Sequence, residues 1–244
     1  MYKRLSRFNK SQPTCATCPY IIFNSHTLPP GISSMSLYGI PWIQITAIDP
    51  GIRNCGIRVE RRTFTGNIMK IDTLLQIRVD FTVDQTEDTN IGRDTIYYNH
   101  VIKVLEQYKQ YFITSQYIII ESQLPINYDL VRISQHLITS MMILTRDQGL
   151  RPLIIELDPR FKSRLFGAPQ KMTKPQLKKW AWETAVKILQ NRGDNETANM
   201  ILSCSKKDDH GDVICYTEAW WNILVNGFYK PPITINELIT NLPV

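Results

Sequence analysis

Apolar and polar residues alternate along Ile43–Asp49, and the alternation stops at Pro50-Gly51. Period-two alternation ending in a breaker predicts a strand that carries a carboxylate at its carboxyl end and turns tightly into a second strand. The second strand is Cys55–Arg61, and a third lies within Ile68–Phe81, beyond the turn at Thr65-Gly66-Asn67. All three are short, rich in β-branched residues and bounded by turns, as antiparallel hairpins should be. An acidic loop, Asp84–Asn90, leads to Thr95–Phe112, where Ile96, Tyr97, Val101, Val104, Leu105, Tyr108 and Phe112 recur at helical spacing.

Tyr117–Glu121 is almost wholly apolar and ends in an acid. Such a strand is buried on both faces, in the middle of a sheet covered by helices. Leu130–Thr145 has Leu130, Ile133, Leu137, Met141 and Leu144 on one side of a helix, and Pro152–Leu157 is a second buried strand, ending at Asp158-Pro159. Pro175 suits the first turn of a helix that runs to about Gln190. After a break at Gly193-Asp194 come a short helix near Glu196–Ser203 and an amphipathic segment, Val213–Leu224. The order of three hairpin strands, helix, strand, helix, strand and helices predicts an α/β fold: a mixed five-stranded sheet, its first three strands antiparallel, with helices on both faces.

Composition sets the limits of that domain. Residues 1–40 contain no Asp or Glu but carry Lys3, Arg4, Arg7 and Lys10 and several prolines, so they read as a basic, poorly ordered extension. The same composition fits an organelle transit peptide, although no clear amphipathic helix accompanies it. The folded domain is expected over 41–227, with an irregular tail at 228–244 containing Pro231, Pro232 and Pro243. Hydrophobic content of 43% is ordinary for a soluble globular protein, and no apolar run approaches a membrane span. Five scattered cysteines (15, 18, 55, 204 and 215) argue against a disulfide framework and for a reducing compartment. Cys15 and Cys18 have no second pair to complete a zinc site, and His26 is the one other ligand nearby.

Charge narrows the partner. The chain has a net charge of +6, and residues 151–192 alone hold ten Lys/Arg against Glu156, Asp158 and Glu183. This localised basic block points to a polyanion, against the plainer reading of a solvated helix face.

Asp49 and Glu121 both close apolar strands; if those strands are parallel neighbours, both acids lie at the sheet edge where open α/β sheets place ligands. Asp209 and Asp212 are three apart at the start of a helix and so share a face. Four converging carboxylates are costly unless cations neutralise them, and oxygen ligands suit Mg²⁺ or Mn²⁺. Two such ions, about 4 Å apart, activate a water and stabilise the leaving oxygen of a phosphodiester. Each acid also has a simpler reading: Asp49 as a turn residue, and Asp208, Asp209 and Asp212 as helix-capping acids. Glu121 is harder to dismiss, because an acid closing the most apolar strand needs a partner.

These motifs resemble the RuvC-type Holliday junction resolvases of the RNase H-like fold, and most closely those of poxviruses and related large DNA viruses. Asp49-Pro50-Gly51-Ile52-Arg53-Asn54, Glu121-Ser122-Gln123 and Lys206-Lys207-Asp208-Asp209-His210-Gly211-Asp212 carry the resemblance, which spans roughly 43–227. It implies that Asp49, Glu121, Asp209 and Asp212 are catalytic metal ligands for two Mg²⁺ or Mn²⁺ ions, with Asp208 adjacent. It also implies lysines after the fifth strand that act in catalysis or junction binding. Lys162 and Lys174 fit these positions, Lys174 with a one-residue offset. Lys171 competes, because Leu165–Pro169 departs from the family's glycine-rich loop.

The resemblance therefore implies a metal-dependent endonuclease that resolves four-way DNA junctions in recombination, repair or concatemer resolution and acts as a homodimer with no membrane association. Arg53, Arg160, Lys162, Arg164, Lys171, Lys174, Lys178 and Lys179 would contact DNA. Its setting would be a host-cell viral factory or nucleus, with the mitochondrion as the alternative from the acid-free amino terminus. Other RNase H-like nucleases, cutting RNA/DNA hybrids or chain ends, carry nearly the same acids. A non-catalytic DNA-binding relative would lack one of them. A sugar-kinase or actin-like ATPase would need a second phosphate loop that the sequence does not show. Trp180 or Trp182 could stack on an unpaired base or fill the core, and His210 reads as a metal or proton ligand or a solvent-facing linker residue.

Overall fold

In the computed structural model, which describes residues 22–24, 42–65, 68–82, 93–146 and 152–225, six strands form one sheet. In chain order they are β1 (Ile22–Asn24), β2 (Trp42–Asp49), β3 (Cys55–Thr65), β4 (Ile68–Val79), β5 (Tyr117–Glu121) and β6 (Leu153–Leu157). Their spatial order is β1-β6-β5-β2-β3-β4; β2, β3 and β4 pair antiparallel, while β2–β5, β5–β6 and β6–β1 are parallel. The five expected strands thus form the expected mixed sheet. A sixth, three-residue strand from within the basic extension is added at its edge. The rest of 1–40, including Cys15 and Cys18, the loop Asp84–Asn90 and the tail 228–244 lie outside the described residues.

The helices are α1 (Arg93–Gln107), α2 (Lys109–Phe112), α3 (Tyr128–Arg146), α4 (Phe161–Leu165), α5 (Lys174–Asn191), α6 (Asn195–Ser203) and α7 (Lys207–Val225). The helix expected over Thr95–Phe112 is divided because Tyr108 leaves helical geometry, with φ −104° and ψ 16°. A helix in the basic block, α4, was not evident from the periodicity: at five residues it is too short to show one. α5 starts where Pro175 suggests, and Thr173 and Gln176 form a capping box at its end. No helix among the described residues is long and apolar enough to cross a membrane.

Side-chain parity decides which helix covers which face. Ile48 of β2, Ile57 and Val59 of β3 and Ile118 and Ile120 of β5 pack with Val101 and Leu105 of α1 and Ile133, Leu137 and Met141 of α3. The alternate residues, Ile43, Ile45, Ala47, Tyr117, Ile119, Ile155 and Leu157, pack with Val213, Tyr216, Trp220 and Trp221 of α7. Asp49 follows Ile45 and Ala47 at period two, and Glu121 follows Tyr117 and Ile119. Both acids therefore belong to the α7 face.

β3 meets α7 differently. Arg58, Glu60 and Arg62 recur at period two as the charged residues of a solvated face would, yet all three are fully buried beneath α7. Arg58 Nε donates to Glu60 Oε2 at 2.9 Å, and Arg62 Nε donates to Glu60 Oε1 at 2.9 Å. Arg62 also reaches Glu218 Oε2 of α7 at 2.8 Å, and its guanidinium lies 4.5 Å from the Trp221 ring centroid. Arg192, the C-cap of α5, pairs with both Glu60 and Glu218. Burial alone would raise the Glu60 carboxyl, but Arg62, Arg58 and Arg192 outweigh it and hold the group well below the usual carboxylate range.

Removing one partner leaves the others buried and uncompensated, which costs about 3–5 kcal/mol. Glu60→Gln is expected to lose stability on that scale in urea unfolding at pH 7, whereas breaking the exposed pair Lys179–Glu183 should change it by less than about 1 kcal/mol.

Candidate active site

The parallel register pairs Ile48 with Ile120, so Asp49 and Glu121 end adjacent strands at the same level. On the other side of β2, Asp49 pairs with Gly56. A Cβ at Gly56 would lie 2.5 Å from the backbone oxygen of Asp209, so this glycine lets the first turn of α7 close onto the sheet beside Asp49. Gly211 does the same toward α5, where a Cβ would fall 2.7 Å from Trp182 Cα. The amino end of α7 is thus lodged between the sheet and α5, and Asp209 and Asp212 come with it. α7 starts at Lys207, about two turns before the amphipathic segment expected at Val213, because its first two turns carry charge.

Lys162 of α4 completes the group. Its side chain is buried, with Nζ 2.6 Å from Asp212 Oδ1 and 3.6 Å from Glu121 Oε2. Burial alone would lower the ammonium, but Asp212, Glu121 and Asp49 overcome it and keep Lys162 firmly protonated. Tyr216 of α7 donates its hydroxyl to Glu121 Oε2, and Lys162 Nζ sits 4.4 Å from its ring centroid.

The acids repel one another. Asp49 is pushed well above the usual carboxylate range by burial, then by Glu121 and Asp212, with Lys162 opposing and Asp209 adding. Burial and Asp212 also raise Glu121 against the pull of Lys162. Asp209 is pushed up to about 6, chiefly by burial and then by Asp208. Asp208 goes the other way: burial would raise it, but its ion pair with Lys178 holds it lower. It is therefore neutralised by α5 rather than left to the group around Lys162.

The structure brings Asp49, Glu121, Asp209, Asp212 and Lys162 to one end of the sheet. Lys174 is exposed at the start of α5, Lys171 is exposed with φ 63°, and no ion pair among the described residues joins either to the four acids. Arg53 is exposed in the β2–β3 turn, Arg164 on α4 and Lys179 on α5 beside Glu183. Arg160 is engaged with Asp158 Oδ2 at 3.2 Å. Trp182 is half-buried against α7, with Lys207 Nζ 5.3 Å from its ring centroid. His210 is buried on α7 with Nδ1 3.0 Å from Gln76 Nε2, so it is no solvent-facing linker residue; the helix begins before it and turns it toward β4. Tyr216 escaped the sequence reading, although its place one turn after Asp212 on the same helix face was a usable signal.

The donor set is wholly carboxylate oxygen and suits a hard divalent cation. Asp209 Oδ2 is buried without a hydrogen-bond partner, as expected of a ligand atom held for something else. Among the described residues no three acids stand close enough to form a ready-made cage. Glu121, Asp212 and Asp49 are arranged around the Lys162 ammonium, while Asp209 stands beside Asp212 and is drawn toward Lys178 and Arg78. The chemistry of the donors suits a divalent cation, although the acids as they stand do not form a ready-made metal site.

No family model matches the chain. Uncharacterized protein 97L of invertebrate iridescent virus 3 is 28% identical over 120 residues, which is 49% of this chain and 55% of the viral protein. The chain thus matches about half the length of this curated relative. Among solved structures, the yeast mitochondrial Holliday junction resolvase Ydc2 superposes with a TM-score of 0.50 at 14% identity, over 82% of this chain and 84% of that one. The fowlpox virus resolvase bound to Holliday junction DNA gives 0.48 at 14% identity, over 73% and 98%. Thermus thermophilus RuvC gives 0.46 at 13% identity, over 75% and 98%. The likeness to the yeast enzyme shows the fold alone, an RNase H-like α/β fold.

Because Asp209 titrates near 6 in the folded protein against 3.8 ordinarily, the folded state binds the extra proton between those values. Stability of the metal-free protein should therefore rise as pH is lowered from about 7 toward 4, and fall again as pH climbs through 6. Asp209→Asn removes that buried charge. Thermal melts at pH 7 in chelator should show the variant more stable than the parent, by about 1–3 kcal/mol, with a flatter pH profile.

Proposed function

We propose that the chain is a divalent-metal-dependent endonuclease that resolves four-way DNA junctions. One observation carries this reading: Asp49 and Glu121 from two parallel strand ends meet Asp212 of α7 around one buried lysine, with Asp209 close enough to Asp49 to add to the repulsion. Such a concentration of acids is unfavourable for folding and has a use if cations bind there.

Asp49, Glu121, Asp209 and Asp212 would hold Mg²⁺ or Mn²⁺. When bound, such ions lower the pKa of a coordinated water and neutralise phosphodiester charge. The remaining work falls to the protein. Lys162, kept protonated and nearly dry, is a cation placed to offset negative charge developing on the phosphate or its leaving oxygen. Burial of most of the surface of Glu121, Asp212 and Asp209 limits their screening by bulk water. Lys171, Lys174, Arg164 and Arg53, exposed in the segments leading from the site, are free to hold flanking phosphates, and Lys178, Lys179 and Arg160 extend that surface. Among the described residues no motif for reading base edges stands out, and shape is the feature this surface would recognise. A four-way junction is nearly two-fold symmetric and needs two paired cuts, which a symmetric homodimer supplies.

The test is cleavage of a synthetic four-way junction beside linear duplex, RNA/DNA hybrid and flap substrates, in Mg²⁺ and in chelator. Paired, symmetric, Mg²⁺-dependent nicks confined to the junction are expected. Preference for the hybrid or for chain ends would reassign the protein among RNase H-like nucleases. Asp49→Asn should lower cleavage at least roughly 1,000-fold, several kcal/mol of barrier, while retaining junction binding in a gel-shift assay.

A further inference from the structure

Tyr216 lies four residues after Asp212 and seven after Asp209, on the stripe of α7 that faces the sheet. It is fully buried among Ile45, Tyr117, Ile119 and Trp220. Packing alone asks only for the ring there, and a buried hydroxyl costs free energy unless it is bonded. The neighbouring Tyr117 shows the uncompensated case, its hydroxyl buried without a partner. The hydroxyl of Tyr216 instead meets Glu121 Oε2 in a charge-assisted bond. Its ring, meanwhile, carries the Lys162 ammonium at 4.4 Å, within cation–π range. One side chain thus touches a strand-end acid and the central lysine, and through that lysine reaches Asp212.

The distances show what this contact prevents. Lys162 Nζ is 2.6 Å from Asp212 but 3.6 Å from Glu121, although both carboxylates flank it. The tyrosine hydroxyl occupies the Glu121 oxygen nearest the ammonium and so competes with Lys162 for it. Without that hydroxyl, the Glu121 oxygen would be open to a closer approach by the lysine, and its carboxylate would be spent in an internal ion pair beside that of Asp212. We propose that Tyr216 is a positioning residue that holds Glu121 off Lys162 and so keeps Glu121 available to a divalent cation. This rests on the metal-site reading above and adds a residue that acts through Glu121.

The experiment is calorimetric titration of Mn²⁺ into the full chain, comparing the parent, Tyr216→Phe, Lys162→Met and the double variant. Loss of an outer-shell hydrogen bond typically costs 10–100-fold in metal affinity, so Tyr216→Phe should bind Mn²⁺ about tenfold more weakly. In the Lys162→Met background the same change should have little effect, because the competing ammonium is gone. In cleavage assays Tyr216→Phe should need more Mn²⁺ for half-maximal rate yet approach the parental rate at saturation. Unchanged affinity in Tyr216→Phe, or an equal loss with and without Lys162, overturns the proposal while leaving the metal site standing. Collapse of the fold on loss of this one oxygen, seen by circular dichroism, also overturns it, since the hydroxyl would then be structural. Absence of Mn²⁺ binding to the parent chain overturns the metal-site reading itself and the proposal with it.

Discussion

Mutual repulsion among four carboxylates at one end of a sheet is the constraint to which the rest of this structure answers. Asp49, Glu121, Asp209 and Asp212 approach closely enough that each of the first two is raised by its neighbours as well as by burial. Lys162 is the only ammonium ion-paired within the group among the described residues, and one positive charge cannot balance four acids. Their assembly has to be enforced by packing. Parity along β2 and β5 aims two of them at the α7 face, and Gly56 and Gly211 let α7 settle close enough to bring the other two.

What keeps α7 in place lies farther along the same helix. Val213, Tyr216 and Trp220 bury apolar surface against β2 and β5, while Thr217 and Glu218 join the charges of β3 and Arg192. A buried ionic network contributes modestly to stability compared with apolar packing, but it tolerates only one alignment of its members. The helix that carries two acids is therefore fixed in register by a directional lattice one to two turns away. The acids, for their part, sit at the positive end of the α7 dipole, which offsets some of their repulsion.

Most of the architecture was legible because it follows from period. Alternation marked β2, near-continuous apolar runs marked β5 and β6, and Pro175 marked the start of α5. The two strand-end acids and the Asp209/Asp212 pair were legible for the same reason, since strand ends and a three-residue spacing fix their direction. The charged face of β3 was not. Arg58, Glu60 and Arg62 have the pattern of a solvated strand, and only the partners supplied from Thr217, Glu218 and Arg192, more than a hundred residues later, make burial tolerable. Which of Lys162, Lys171 and Lys174 reaches the acids was equally closed to sequence. It depends on the short helix α4, which turns Lys162 inward while the other two remain exposed.

Fold and charge together therefore describe a site in which strand ends supply two acids, one helix supplies two more and a buried lysine waits among them. The central claim is that these four acids act as one cation site. A crystal of the full chain soaked in Mn²⁺ and measured at the manganese absorption edge tests it most directly. The account predicts anomalous density enclosed by Asp49, Glu121, Asp209 and Asp212, with Lys162 moved away from Asp212. Density elsewhere, or none while Lys162 keeps its 2.6 Å contact with Asp212, would contradict it.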